Sequence, residues 1–269
     1  MNSPQSQTAG LATGPARYFE PEGFSGLQLA YRRTEARDSE DPGIVWLGGF
    51  KSDMLSTKAE CIAQWAKDHG RAFLRFDYSG HGESAGRFED GTIGSWSNQS
   101  LAMIRALTSG PQILVGSSMG GWIALLVAQA LAGLGETSRL AGLVLIAPAV
   151  DFTEELMWQK LPESARREIE TKGFWLRPTQ YAIEPYPVTR ALIENGRKYL
   201  LFGGTIRSYC PVHILQGMED PDVPWSHAMK LVEHLAGDPV ALTLIKDGDH
   251  RLSRDQDILR LLSAISQIT

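Results

Sequence analysis

The sequence predicts an α/β protein: a mostly parallel central sheet with helices on both faces and a helical lid insertion. Three observations carry that expectation. Six short runs, at 43–50, 71–80, 111–118, 142–149, 211–220 and 240–250, are nearly continuously apolar before they run out into small or acidic residues. Strands apolar on both sides belong in the middle of a sheet covered by helices. Between these runs lie helical patterns at 56–70, 92–110, 118–135, 226–237 and 254–268. Finally, one long stretch, 151–202, breaks the alternation without a clear strand of its own.

Taken in order, residues 1–16 are rich in Ser, Gln, Thr and Gly and read as a flexible tail. At 17–22 and 27–36 apolar and polar residues alternate, which suggests an antiparallel pair of half-exposed strands. Gly43–Phe50 is the first buried strand, and Ala59, Ile62, Ala63, Trp65 and Ala66 follow on a helix that Gly70 is placed to stop. The same unit then recurs, which implies right-handed crossovers and a doubly wound sheet. The core is therefore assigned to 17–150 and 203–269. Within 151–202 come helix-like pieces at 151–162 and 162–173 and an aromatic, proline-bearing loop at 173–188. Structureless connections of that length are uncommon and usually functional, so the segment is expected to be a lid over the carboxyl edge of the sheet. Ligands of wound sheets sit at that edge, where the Gly, Ser, Asp and His clusters of this chain also fall.

One cluster there is "GSSMGG", residues 116–121, between the strand "QILV" and the helix "GWIALLVAQALAG". A Gly-x-Ser-x-Gly sequence in that setting is a nucleophile elbow. The turn presses together the residues two before and two after its centre, which favours residues without a β-carbon. Centring on Ser118 places Gly116 and Gly120 there; centring on Ser117 would place Val115 and Met119. Ser118 is thus the expected nucleophile. An alcohol attacking a carbonyl also needs donors for the oxyanion. The amide of Met119 supplies the first, and the amide of Phe50 in "LGGF" is expected to supply the second.

The base must stand on a loop at the same edge. His69 lies at a helix end, His213 inside a strand, and His227 and His234 a heptad apart on one helix, expected on its solvated side or flank. His81, in "DYSGHGES", precedes the serine in a glycine-rich turn where a structural role is expected. His250 follows the last strand and completes the chain order serine, acid, histidine, so it is favoured as the base. For the acid, "LQGMEDPDVPW" offers Asp220, with Asp222 as the alternate and Asp151 as a remote candidate. Asp249, beside the histidine, reads as a turn residue. Asp77 and Ser84 are expected to hold the glycine-rich turn through side-chain to backbone hydrogen bonds.

Composition narrows the function classes. With 269 residues, 43% hydrophobic and 21% charged, the chain can bury a large core without staples. A net charge of -5 argues against nucleic-acid binding. The longest apolar stretch, 122–135, is shorter than the roughly 20 residues that span a bilayer, so no stable membrane insertion is expected. Cys61 and Cys210 lack metal-like spacing and read as buried, reduced thiols. The first residues show neither a signal-peptide core nor an arginine-rich presequence, and a cytoplasmic location is expected.

The strings "GSSMGGW", "RFDYSGHGES", "GMEDPDVPW" and "DHR" resemble the α/β-hydrolase superfamily, and more closely its member-ten group of α/β-hydrolase-domain proteins. The likeness runs from about Gly43 to Ile268. It implies the α/β-hydrolase fold, Ser118 as nucleophile, Asp220 as acid and His250 as base, the assignment reached above from the residues. It also implies a small-molecule acyl ester or thioester substrate, of the acyl-thioester or acyl-glucuronide type, or an acylated protein. No metal and no cofactor is called for. Where the group commonly has a tyrosine, this chain has Phe50, which keeps the backbone donor but changes the pocket wall. An acyl pocket under the lid is expected to draw on Trp122, Trp158, Trp175 and Trp225, together with Phe174, Tyr181 and Tyr186. Arg166, Arg167, Arg177 and Arg190 read as solvated charges able to meet a substrate carboxylate. Other chemistries on the same scaffold stay open: acyl transfer, perhydrolysis, C–C cleavage, or ligand reception without catalysis.

Overall fold

The structure, a computed structural model, describes residues 14–37, 40–178, 185–235 and 237–268. The expected tail lies outside them up to residue 13, as does Tyr181. Two strands open the chain, β1 (Arg17–Phe19) and β2 (Leu29–Thr34), antiparallel to each other. The alternating units follow: β3 (Gly43–Leu47), α1 (Thr57–Asp68), β4 (Phe73–Phe76), α2 (Ile93–Leu107), β5 (Gln112–Ser117), α3 (Met119–Gly133) and β6 (Leu140–Ile146). Segment 151–202 contains α4 (Glu163–Lys172), β7 (Phe174–Arg177), β8 (Tyr186–Thr189) and α5 (Arg190–Gly196). The chain then completes the sheet with β9 (Val212–Gly217), α6 (Trp225–His234), β10 (Val240–Ile245) and α7 (Asp255–Ser266).

Among the described residues, eight strands form one sheet in the order β1-β2-β4-β3-β5-β6-β9-β10. β1, β2 and β4 pair antiparallel; every pair from β4 through β3, β5, β6 and β9 to β10 is parallel. Side chains alternate across each strand, and the sheet sorts them accordingly. Ile44, Trp46, Ile113, Val115, Val144 and Ile146 pack with Ile62, Ala66, Leu261 and Ile265 of α1 and α7. Their neighbours Val45, Leu47, Leu114, Leu143 and Leu145 face the other side, against Met103, Ile123, Val127, Ala228 and Leu231 of α2, α3 and α6. Burial on both faces is why these strands read as continuous apolar runs.

Local chemistry sets the ends of the elements. Thr92 and Ser95 form a reciprocal capping box at the start of α2, the Ser95 amide donating to Thr92 Oγ1 at 3.2 Å and the Thr92 amide to Ser95 Oγ at 3.0 Å. α1 ends at Asp68, and Gly70 turns at φ +66 where a Cβ would collide with the Arg37 carbonyl.

Segment 151–202 departs from expectation. It is not free of strands: β7 and β8 pair antiparallel, Phe174 opposite Thr189 and Arg177 opposite Tyr186. Gly173, at φ +89, ends α4 in the left-handed conformation and turns the chain straight into β7. Four-residue strands are too short to stand out from aromatic loop sequence, and Pro187 within β8 hides the pattern further.

Candidate active site

β5 ends at Ser117 and α3 begins at Met119, so the turn between them is Ser118 alone, at φ 54 and ψ −116. A serine held at positive φ costs on the order of 1–3 kcal/mol and must be over-determined by its surroundings. It is. The Ser118 amide donates to the Ile146 carbonyl of β6 at 2.8 Å, and the Ser118 carbonyl accepts from Gly121 at 2.9 Å and Ala149 at 3.1 Å. A Cβ on Gly116 would collide with the Gly120 carbonyl, and one on Gly120 with the Leu47 carbonyl. The segment after β3 therefore lies directly against the elbow, and a Cβ on Gly49 would stand 3.5 Å from the Ser118 Cβ. Among the described residues, neither the Phe50 amide nor the Met119 amide donates to another element.

Asp220 and His250, which lie after β9 and β10, are brought together: His250 Nδ1 is 2.7 Å from Asp220 Oδ2. The carboxylate is held on all sides. Oδ1 accepts from the amides of Asp222 at 2.8 Å and Val223 at 2.9 Å, and Oδ2 also accepts from Gln216 Nε2 at 3.3 Å. These donors fix the aim of the acceptor, and with Nδ1 donating to it, Nε2 of His250 is the ring nitrogen left without that partner.

Two residues that sequence reasoning passed over serve this pair. Gln216 reaches Asp220 from inside an apolar strand; a fully buried amide in "VHILQG" is the signal that marks it. Lys58 of α1 is buried, and its ammonium donates to the Arg251 carbonyl, next to His250, and to Ser253 Oγ at 3.5 Å. Burial pulls the Lys58 pKa down to about 8 against the opposing pull of Asp249. A lysine in register with Ile62 on the apolar face of α1 is its sequence signature.

The remaining candidates are dispersed. Trp122 is fully buried, its Nε1 donating to the Tyr199 carbonyl at 3.2 Å, so it props segment 151–202 from within. Trp158 lies beneath the guanidinium groups of Arg197 and Arg166, 4.9 and 5.8 Å from its ring. Trp175 is half-buried on β7, and Trp225 is 42% exposed at the start of α6. Phe174 is exposed, whereas Tyr186 packs 5.5 Å from Phe50, which also meets Phe88, Trp96 and Phe152. Arg167 pairs with Glu163, Arg166 donates to two carbonyls of 158–159, and Arg190 bonds the Glu170 carbonyl.

Asp151 stands at the root of the segment, at φ 56, with its carboxylate accepting the amides of Leu201 and Phe202 at 2.8–3.0 Å. Burial raises its pKa against those two donors. His227 and His234 are not on a solvated face. His227 Nε2 meets the Val150 carbonyl at 2.8 Å and His234 Nε2 the Phe202 carbonyl at 3.1 Å, so one helix face ties down both ends of the segment. Their heptad spacing gave no hint of the distant carbonyls. Cys210 is buried, but Cys61 is only half-buried, because it flanks the apolar stripe of α1.

Asp220, Asp222 and His250 each bring a ligand-type atom within 4.8 Å of the others. The oxygens of Asp220 are already engaged by two amides, a glutamine and the imidazole, so a hydrogen-bonded acid–histidine pair accounts for the group without a cation.

A wound sheet with a strained serine after its central strand defines an α/β hydrolase, and the chain belongs to that family, whose profile matches residues 43–261. Among its relatives, the mitochondrial palmitoyl-protein thioesterase ABHD10 of Homo sapiens is 36% identical over 241 residues, 89% of this chain and 76% of that protein. The solved structure of mouse α/β hydrolase domain-containing protein 10 superposes with a TM-score of 0.82 at 32% identity, covering 94% of this chain and 98% of that one. A solved protein from Agrobacterium vitis S4 superposes with a TM-score of 0.90 at 46% identity, with the same two coverages. The cytoplasmic location expected from the first residues is overturned here: the curated relatives carry mitochondrial names. An address read from the composition of a few residues has little physical basis, and it is withdrawn.

Proposed function

We propose that this α/β hydrolase is a serine hydrolase of carboxylic esters or thioesters, acting through an acyl-enzyme on Ser118 with Asp220 and His250. The observation that carries the reading is the Asp220–His250 hydrogen bond at the edge of the sheet where the elbow holds Ser118 at positive φ. In the first step Ser118 Oγ attacks the carbonyl carbon while His250 Nε2 takes its proton. The negative charge that forms on the carbonyl oxygen is met by the amides of Met119 and Phe50. Collapse breaks the bond to the alcohol or thiol, which leaves with the proton from His250. Water then attacks the acyl-enzyme, gives a proton to His250, and the carboxylic acid departs as Ser118 regains its proton. Asp220 keeps the imidazole in the required tautomer and balances the imidazolium.

Segment 151–202 serves as the lid, rooted by Asp151. The rings of Phe50, Phe88, Phe152 and Tyr186 beside the elbow suit an apolar acyl group. The thioesterase names of the curated relatives favour acyl thioesters, including acylated proteins, over polar esters. A fluorophosphonate probe should label the wild type and not Ser118→Ala. Turnover of aryl esters and acyl thioesters of increasing chain length should rise with apolar length and vanish in that variant. Equal turnover by wild type and Ser118→Ala would overturn the reading.

A further inference from the structure

The string "FDYSGHGES" forms the loop after β4, and it grips the segment that follows β3 at three points. Tyr78 donates its hydroxyl to the Gly48 carbonyl at 3.2 Å, the Lys51 amide donates to His81 Nε2 at 3.2 Å, and the Met54 amide donates to Asp77 Oδ1 at 2.7 Å. The first two bracket one peptide group. The Gly48 carbonyl belongs to the peptide just before Gly49–Phe50, and the Lys51 amide to the peptide just after it. The carbonyl of the Gly49–Phe50 peptide itself accepts from the Ser52 amide at 3.1 Å. With both neighbours and its own oxygen fixed, that peptide has one orientation for its N–H.

We propose that His81 is a positioning residue of the oxyanion hole, setting together with Tyr78 the Gly49–Phe50 peptide whose N–H meets the oxyanion. The proposal rests on the reading of Ser118 as nucleophile and of the Phe50 amide as donor.

The setting of His81 fits this task. Its Nδ1 faces the Ser79 carbonyl at 3.1 Å, an acceptor only, so the proton sits on Nδ1 and the Nε2 lone pair is free to take the Lys51 amide. The ring is 4% exposed and wedged among Tyr78, Phe88 and Trp96, with centroids 5.1–5.5 Å away. Burial holds its pKa down to about 4, with the Lys51 ammonium adding to the fall, so the acceptor lone pair persists at neutral pH. Lys51 itself stands at φ 57, a conformation a lysine keeps only when held. The loop is anchored independently: Ser84 Oγ donates to the Asp77 carbonyl at 2.6 Å, Asp77 Oδ2 accepts from Glu83 at 2.9 Å, and Gln99 bonds both the Ser79 amide and its hydroxyl. A Cβ on Gly82 would strike the Asp77 carboxylate, which explains a glycine beside the histidine.

The test compares His81→Leu, His81→Gln and Tyr78→Phe with the wild type on p-nitrophenyl butyrate. It also measures inhibition by an alkyl trifluoromethyl ketone, which forms an oxyanion on the serine, and by the matching unfluorinated ketone. Loss of aim should lower kcat by about 10- to 100-fold in His81→Leu and Tyr78→Phe, less than the loss of a whole donor, with KM within about twofold. Trifluoromethyl ketone affinity should fall by the same factor and unfluorinated ketone affinity should not. His81→Gln, which returns an acceptor, should recover part of the loss. Unchanged kcat and unchanged trifluoromethyl ketone affinity, or a loss confined to KM, would overturn the proposal. Should His81→Leu fail to fold, Tyr78→Phe, which deletes one hydroxyl, decides alone. Failure of the underlying reading looks different: Ser118→Ala would then hydrolyse the ester as fast as the wild type.

Discussion

Gly217, at the end of β9, and Gly248, after β10, stand in backbone contact: a Cβ on Gly217 would collide with the Gly248 carbonyl oxygen. The same carbonyl accepts from the Glu219 amide at 2.9 Å, so the loop carrying Asp220 and the loop carrying His250 are zipped together. Gly217→Ala must force these loops apart. It should lower kcat by one to two orders of magnitude, on the order of 1.4–2.7 kcal/mol in barrier, with little change in KM. Gly133→Ala is the matched control, since nothing lies within 4 Å of a Cβ there. Its activity should be unchanged and its Tm equal or slightly raised.

Asp220→Asn replaces a carboxylate that His250 Nδ1 approaches at 2.7 Å with an amide able to present a donor to the same nitrogen. The wrong tautomer leaves Nε2 protonated and unable to take the serine proton. Steady-state kinetics should show kcat lower by about 10⁴-fold at nearly constant KM. Asp222→Asn, which leaves that hydrogen bond in place, should retain most of the activity.

Asp151→Ala removes the acceptor of the half-buried Leu201 and Phe202 amides. Unmet amides should cost about 1–3 kcal/mol in the wild-type geometry. The expected relief is local opening of segment 151–202, seen as faster hydrogen exchange and faster proteolysis there than in β5 or β6. Asp151→Asn keeps one carbonyl oxygen and tolerates φ 56, so it should fall in between.

His81 also predicts a pH dependence of stability. Its pKa lies near 4 in the folded protein, mainly through burial, against 6.5 for a free imidazole. Between those values the unfolded chain binds a proton that the folded one refuses, so stability rises with pH across that window. The contribution is complete above pH 6.5 and lost by pH 4, about 3 kcal/mol at most. His213 and His227, also lowered by burial, act in the same direction. Denaturant unfolding of His81→Gln from pH 4 to 7 should therefore show a shallower slope than the wild type.

Much of this was legible in the chain itself. Alternation of apolar runs with helical segments forecast the wound sheet, because strands buried on both faces carry few polar residues. Gly116 and Gly120 marked the elbow because the tight turn presses the two together, a Cβ on Gly116 striking the Gly120 carbonyl; the Leu47 carbonyl that also excludes a Cβ at Gly120 is distant in sequence. The short hairpin of β7 and β8 was not legible, since four-residue strands carry too few alternations to be told from loop. Nor were the roles of His227 and His234, whose acceptors sit 77 and 32 residues away in sequence.

The sequence by itself determined the alternation of strands and helices in the wound sheet, the strained turn at Ser118 and the set of acids and histidines at one edge of the sheet. Those features follow from steric and hydrophobic patterns repeated over two to four residues. Only the tertiary structure decided that Asp220 is the acid hydrogen-bonded to His250, that Trp122 is sealed inside, and that Tyr78, His81, Lys58 and Gln216 brace the loops around the site. Most of these choices are hydrogen bonds between residues far apart in the chain. Local propensity carries no information about which distant backbone group a buried side chain will meet, and the packing of the sheet does.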